Sequence, residues 1–145
     1  MRHALVAAAL LVAGAALHAA HASPQQDYAL YCMGCHGEQA QGVPGKVPPL
    51  AGSVALFMRS AEGRDYVLRV PGAANSALGD AQLAAVLNWL GERFPPAGAG
   101  VPPGAPFTAA EVGELRRRPL ADVRERRREV VRTLAASGPA PPADY

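Results

Sequence analysis

The sequence predicts an all-α fold, a small helical domain followed by a helical C-terminal extension. Three observations carry this. Apolar residues recur at helical spacing, as in Leu83, Val86, Leu87 and Leu90, and again in Leu120, Val123, Val130, Val131 and Leu134. Two helix-start signatures are present, Ser-x-x-Gln at Ser23 and Thr-x-x-Glu at Thr108. Between these segments the chain is punctuated by Pro and Gly, the residues of turns and loops.

The order of elements begins with a leader. Arg2 precedes an apolar run from Ala4 to Leu17, which ends in the small-residue sequence Ala20-His21-Ala22. This pattern predicts a signal peptide over residues 1–22, cleaved after Ala22, because the run is shorter than the roughly 20 residues a bilayer span needs. Ser23 then caps a helix with Pro24 in its first turn and Gln26 three residues on, running toward Tyr31. Residues 44–52 and 69–75 (PGKVPPLAG and RVPGAAN) read as loops, with a helical stretch VALFMRS between them. Gly79, Asp80 and Gln82 mark the start of a helix through Leu90, whose apolar stripe is core, with Trp89 packing beside it.

Both cysteines of the chain lie in the stretch YCMGCHG, at Cys32 and Cys35, with His36 directly behind. Three chemistries compete for that spacing. A disulfide-exchange motif opens a helix after a buried strand, and no strand-like segment precedes Tyr31. A structural zinc needs about four protein ligands, and after removal of His3, His18 and His21 only two thiols and one imidazole remain. A covalent haem needs what is present: two thiols to add across the vinyl groups and one imidazole for the iron. The motif therefore predicts one covalently attached haem c, held by Cys32 and Cys35, with His36 as proximal axial ligand.

With those residues in place the chain resembles the class I c-type cytochromes. The resemblance rests on CMGCHG, on VPPLAG from Val47 to Gly52, and on LGDAQLAAVLNWL from Leu78 to Leu90, and it covers about half the chain. It implies a small cytochrome c fold around one covalent haem in which the last of these segments crosses the N-terminal helix. It also implies that a proline carbonyl in VPPLAG supports His36. In the family a methionine before a proline supplies the sixth iron ligand, whereas here the dipeptide reads Val70-Pro71. Met58 becomes the tentative distal axial ligand by elimination, with packing beside Phe57 as the competing account. Tyr66, Lys46 and Asn75 are further donors, and a five-coordinate iron stays open. Arg59, Arg64 and Arg69 are placed either to neutralise haem propionates or to be solvated.

The organisation that follows is a signal peptide at 1–22, a cytochrome c domain at 23–94, a Pro/Gly-rich linker at 95–106 and an Arg-rich helical C-terminal extension at 107–145. In the extension Thr108 opens a short helix toward Arg118, Pro119 interrupts it, and a second helix runs from Leu120 to Ala135. Its arginines are interleaved with Asp122, Glu125 and Glu129, and no aromatics alternate with them, so nucleic acid is not the expected partner. The helix either presents a solvated face, packs back on the core, or contacts an acidic partner or membrane surface. The net charge of the whole chain is only +2, so no global field is implied.

The predicted function is a periplasmic monohaem cytochrome carrying single electrons between donor and acceptor proteins, without catalysis of its own, peroxide chemistry aside. Two other classes compete. One is haem-based binding or sensing of a small ligand at an open sixth position; the other is a fixed cytochrome subunit of a larger periplasmic dehydrogenase.

Overall fold

The computed structural model describes residues 22–98, 101–102 and 104–145; the predicted leader up to His21 lies outside them. Eight helices are described, and among the described residues the only β pairing is an isolated bridge between Val43 and Val47. The first helix, α1 (Pro24–Tyr31), starts as its sequence predicts: Ser23 Oγ accepts from the Gln26 amide, and the Gln26 side chain accepts from the Ser23 amide at 2.8 Å. A single turn, α2 (Met33–His36), carries the cysteine–histidine motif and ends at Gly37 with φ +78°.

Helices α3 (Ser53–Phe57) and α4 (Ala61–Arg69) form a bent pair around Ser60, whose Oγ accepts from the Gly63 amide at 2.9 Å. The predicted loop at RVPGAAN is partly helical. Arg69 closes α4, and Pro71 opens the one-turn α5 (Pro71–Ala74), because a proline at the first helical position sacrifices no hydrogen bond. The long α6 (Asp80–Arg93) buries Leu83, Val86, Leu87 and Leu90, the stripe expected from their spacing.

Helix α1 crosses α6. Tyr28 meets Trp89 at 5.5 Å between ring centroids, and Phe94 stands edge-on to Trp89 at 6.0 Å. Trp89 is thus packing at this crossing, as its sequence context predicts.

The extension consists of α7 (Ala109–Leu115) and α8 (Val123–Ser137). Helix α8 begins at Val123 rather than Leu120, because Asp122 caps it by accepting from the Glu125 amide. The Leu120 amide donates instead to Arg69 O at 2.8 Å. Phe107, Val112, Val130, Val131 and Leu134 belong to the same buried cluster as Tyr28, Leu68 and Leu90.

Several polar joints hold the extension to the rest of the chain, and three of them centre on Arg64, Arg116 and Asn88. Arg64 forks onto Glu111 and also donates to Ala105 O and Pro106 O. Arg116 donates to Ala74 O, Ser76 O and Leu78 O and pairs with Asp80. Asn88 and the Phe107 backbone exchange two hydrogen bonds, of 2.7 and 3.0 Å. Each guanidinium satisfies carbonyls left over at helix ends and loops, so the joints replace hydrogen bonds to water with fixed ones. Of the options open for the basic helix, packing back on the core is the one the structure displays.

Candidate haem site

In the one-turn α2 the amides of Cys35 and His36 donate to Cys32 O at 3.2 and 3.0 Å. A turn of this kind sets residues three apart on one side, so the two thiols face the same way. Neither is in a disulfide; Cys35 is exposed and Cys32 half-buried. Burial pushes the Cys32 thiol above its ordinary pKa, with the nearby Asp27 carboxylate and Cys35 adding to the rise. Such a thiol is protonated at neutral pH and is not primed for disulfide exchange.

His36 is half-buried, and its Nδ1 lies 3.0 Å from Pro48 O. With the Nδ1 proton donated to that carbonyl, Nε2 keeps its lone pair for a metal, the arrangement a haem-iron histidine requires. Burial also holds the His36 pKa below its usual value, which favours the neutral imidazole, against the raising effect of the Pro48 carbonyl.

The chain reaches Pro48 through a tight return. The Gly42 amide donates to His36 O at 2.8 Å, and Val43 pairs with Val47. Gly42 has φ +69°, and a Cβ there would strike Val47 O, so only glycine fits the return.

His36 and both cysteines line a cavity of about 300 Å³, at the lower end of the roughly 300–1,000 Å³ typical of cofactor sites. Opposed groups of residues build it. Tyr31, Pro48 and Leu50 come from the region around the motif, and Phe57, Tyr66 and Val70 come from α3, α4 and the turn after it. Leu83, Val86, Leu87 and Leu90 of α6 floor it, and Val123, Arg127 and Tyr145 of the extension complete it. The mostly apolar lining suits the faces of a porphyrin, and the thiols and imidazole stand on one edge of it. These residues fit a covalent haem. Among the described residues no cluster of three His, Cys, Asp or Glu is brought together.

Met58 is not brought to His36. Ala55 and Met58, three residues apart, share the face of α3 that meets α6, where Met58 Sδ would lie 2.9 Å from a Cβ on Gly91. Val54 and Phe57 occupy the neighbouring face and line the cavity in its place. The thioether therefore fills the space left by a glycine. Of the other donors, Tyr66 is buried in the cavity wall, Lys46 reaches its rim from an exposed position, and Asn75 is exposed and outside the lining. Arg64 and Arg69 turn away to the extension, and Arg59 is exposed.

Sequence reasoning missed Arg127 and Tyr145. Arg127 had a visible signal, since it falls on the Val123, Val130, Val131 and Leu134 stripe of α8. Tyr145 had none.

An all-α fold with helices crossing beside a cavity edged by two thiols and one carbonyl-tethered imidazole defines a protein built for a covalently held haem. No family model matches the chain. Among curated proteins it is similar to a cytochrome c-552 of Thermus thermophilus, 37% identical over 129 residues that cover 77% of this chain and 84% of that protein. A second cytochrome c-552 of the same species is 36% identical over 107 residues, covering 61% of this chain and 81% of its own. The chain belongs to the class I monohaem c-type cytochromes. It binds one covalent haem c and transfers electrons between redox partners. Neither relative is named for ligand sensing or for a dehydrogenase subunit.

Proposed function

We propose that Cys32 and Cys35 form the two thioether bonds of the haem, that His36 binds the iron through Nε2, and that the protein works as an exported single-electron carrier in the periplasm. The observation that carries this reading is the His36 Nδ1 to Pro48 O contact of 3.0 Å on the edge of the cavity that both cysteines also line. When bound, the haem supplies the one-electron chemistry; the chain's part is to fix the imidazole, exclude water from the apolar walls and set the local field. Pro48 holds the ring orientation and makes Nε2 a better donor, and the α6 stripe keeps the cavity dry.

The leader over residues 1–22, with cleavage after Ala22, supports export, which the covalent attachment of haem c also suits. Donor and acceptor are redox proteins met transiently beside the exposed motif edge, where Leu30, Tyr31 and Met33 present apolar surface. The domain reading is a cytochrome unit at 23–94 with its extension at 107–145 fastened by the arginine joints. The cavity lining includes Tyr66 and Lys46, whose oxygen and amine are donors the chain would offer the iron at a second ligand position. Peroxide chemistry would need that position to exchange.

The test is the absorption spectrum of protein matured with haem in the periplasm, taken oxidised, reduced, and reduced under carbon monoxide. Haem that stays on the denatured wild type and is lost from the Cys32→Ser/Cys35→Ser double variant supports the attachment. His36→Ala is expected to lower the yield of haem protein at least about tenfold. Unchanged yield and spectrum in His36→Ala would overturn the ligand assignment. An intact low-spin spectrum with no response to carbon monoxide supports a pure electron carrier, and rapid carbon monoxide binding supports an exchangeable sixth position.

A further inference from the structure

Asp27 is the only buried carboxylate among the described residues, at 3% exposure; every other one is half-buried or exposed. It stands in the first turn of α1, where an acid suits the helix dipole. An acid placed there for the dipole alone can face water, and Asp27 turns inward instead, to the crossing with α6. There the Gln82 side-chain amide donates to its Oδ2 at 3.4 Å, the long end of the hydrogen-bond range. Gln82 is held in that orientation, because its Oε1 accepts from the Gly79 amide at 3.1 Å. None of the described ion pairs includes Asp27.

A carboxylate buried without a counter-charge is destabilising, and one neutral amide orients the charge without cancelling it. The stability of α1 therefore does not account for the placement. The charge does lie close to the haem-binding turn. Cys32 closes α1 five residues on, with its amide donating to Tyr28 O at 2.9 Å, and packs against the same buried cluster as Tyr28. Tyr28, next to Asp27, donates its hydroxyl to Gly37 O just past His36, which ties α1 to the far end of the motif. After burial itself, the Asp27 carboxylate is the next cause that raises the Cys32 thiol pKa, ahead of Cys35.

We propose that Asp27 sets the reduction potential of the haem, as a fixed negative charge beside the Cys32 attachment that favours the ferric state. The inference rests on the haem reading above and adds a residue to it. Ferric haem carries one more positive charge than ferrous haem, so a nearby anion stabilises it and lowers the potential. At the surface water and salt screen such a charge; in a buried helix crossing they screen it far less.

The experiment compares haem-loaded wild type with Asp27→Asn and Asp27→Glu, and with Glu38→Gln as an exposed control beside the motif. Covalent haem that stays on each denatured chain checks the haem reading separately. A wild type without it overturns that reading and this inference together. The quantity measured is the ferric-to-ferrous ratio in a redox buffer poised at the wild-type midpoint potential. Asp27→Asn keeps the shape of the side chain and removes its charge, and its ratio is expected to fall about threefold or more. Asp27→Glu keeps the charge and is expected to stay closer to wild type. Glu38→Gln loses a charge that solvent screens, and a smaller shift than in Asp27→Asn is expected. If Asp27→Asn does not accumulate, Asp27→Ser, neutral and smaller, takes its place with the same expectation.

The inference is overturned if the neutral variant keeps the wild-type ratio. Asp27 then serves the helix alone, and its loss shows only as a lower melting temperature. It is equally overturned if Asp27→Glu shifts the ratio as far as Asp27→Asn, since packing is then the cause, or if Glu38→Gln does, since the effect is then charge at long range.

Discussion

The two sides of the haem cavity are built in opposite ways. The side that carries His36 comes from one short run of chain: the motif turn, the Gly42 return and Pro48 lie within residues 32–48, joined by backbone hydrogen bonds. The side that carries Tyr66, Arg127 and Tyr145 is assembled from α4, α8 and the last residue, with Tyr66 and Arg127 brought together by the docking of helices far apart in sequence. The first side is fixed by local geometry and survives as a motif. The second depends on the whole extension being seated, so its chemistry is a consequence of packing.

The comparison is broken most severely by removing the extension. Deleting residues 107–145 takes away Phe107, Val112, Val130, Val131 and Leu134, five buried side chains each worth about 1.5–3 kcal/mol. The expected loss is on the order of 10 kcal/mol, comparable with the entire stability of a small domain. Calorimetry of the haem-loaded protein should show the cooperative transition lost or shifted far down. A transition within a few degrees of wild type would mean that the second side does not depend on the extension. The same deletion, if it left partner reduction rates and their salt dependence unchanged in whatever protein remained, would remove the docking role considered for the basic helix.

A smaller effect is expected at the Arg64–Glu111 joint. The Arg64 guanidinium holds the Glu111 carboxyl below its ordinary pKa, which outweighs the raising effect of partial burial. A carboxyl depressed in the folded state contributes stability above its unfolded pKa, near about 4.3, and loses it as pH falls through the lower folded value. Glu111→Gln should therefore lower the melting temperature at pH 7 by an amount equivalent to about 1 kcal/mol. The gap to wild type should close below about pH 4. A gap that persists unchanged at pH 3 would show that the substitution acts through packing instead.

The smallest effect sharpens the contrast from the other direction. Met58→Leu is expected to leave the haem spectrum and potential at their wild-type values and to cost less than about 1.5 kcal/mol, since the thioether packs against Gly91 rather than facing the iron. Loss of a red methionine-to-iron band in this variant would return Met58 to the iron and require α3 to rotate by about a quarter-turn or more.

Most of the first side was legible before any coordinates. The C-x-x-C-H spacing, the Ser23 cap and the α6 stripe each follow from local rules, and the structure contains the helices they predict. The packing of Met58 was not legible. Elimination among methionines points to Met58, yet the face of α3 that meets the cavity is chosen by where Gly91 leaves room, and glycine's missing Cβ is a property of a different helix. Likewise α4 was not foreseen, because a glycine, Gly63, stands in its first turn and its hydrophobic side is short.

The sequence by itself determined the haem-binding turn, the helical class and the amphipathic faces, since these depend on contacts within a few residues and on spacing. Only the tertiary structure decided that the Arg-rich tail folds over the cavity and turns Arg127 inward. A charged residue on an apolar stripe reads as solvated until the surface that buries it is known, and that surface comes from α3, α4 and Tyr145, which meet α8 only in the folded chain.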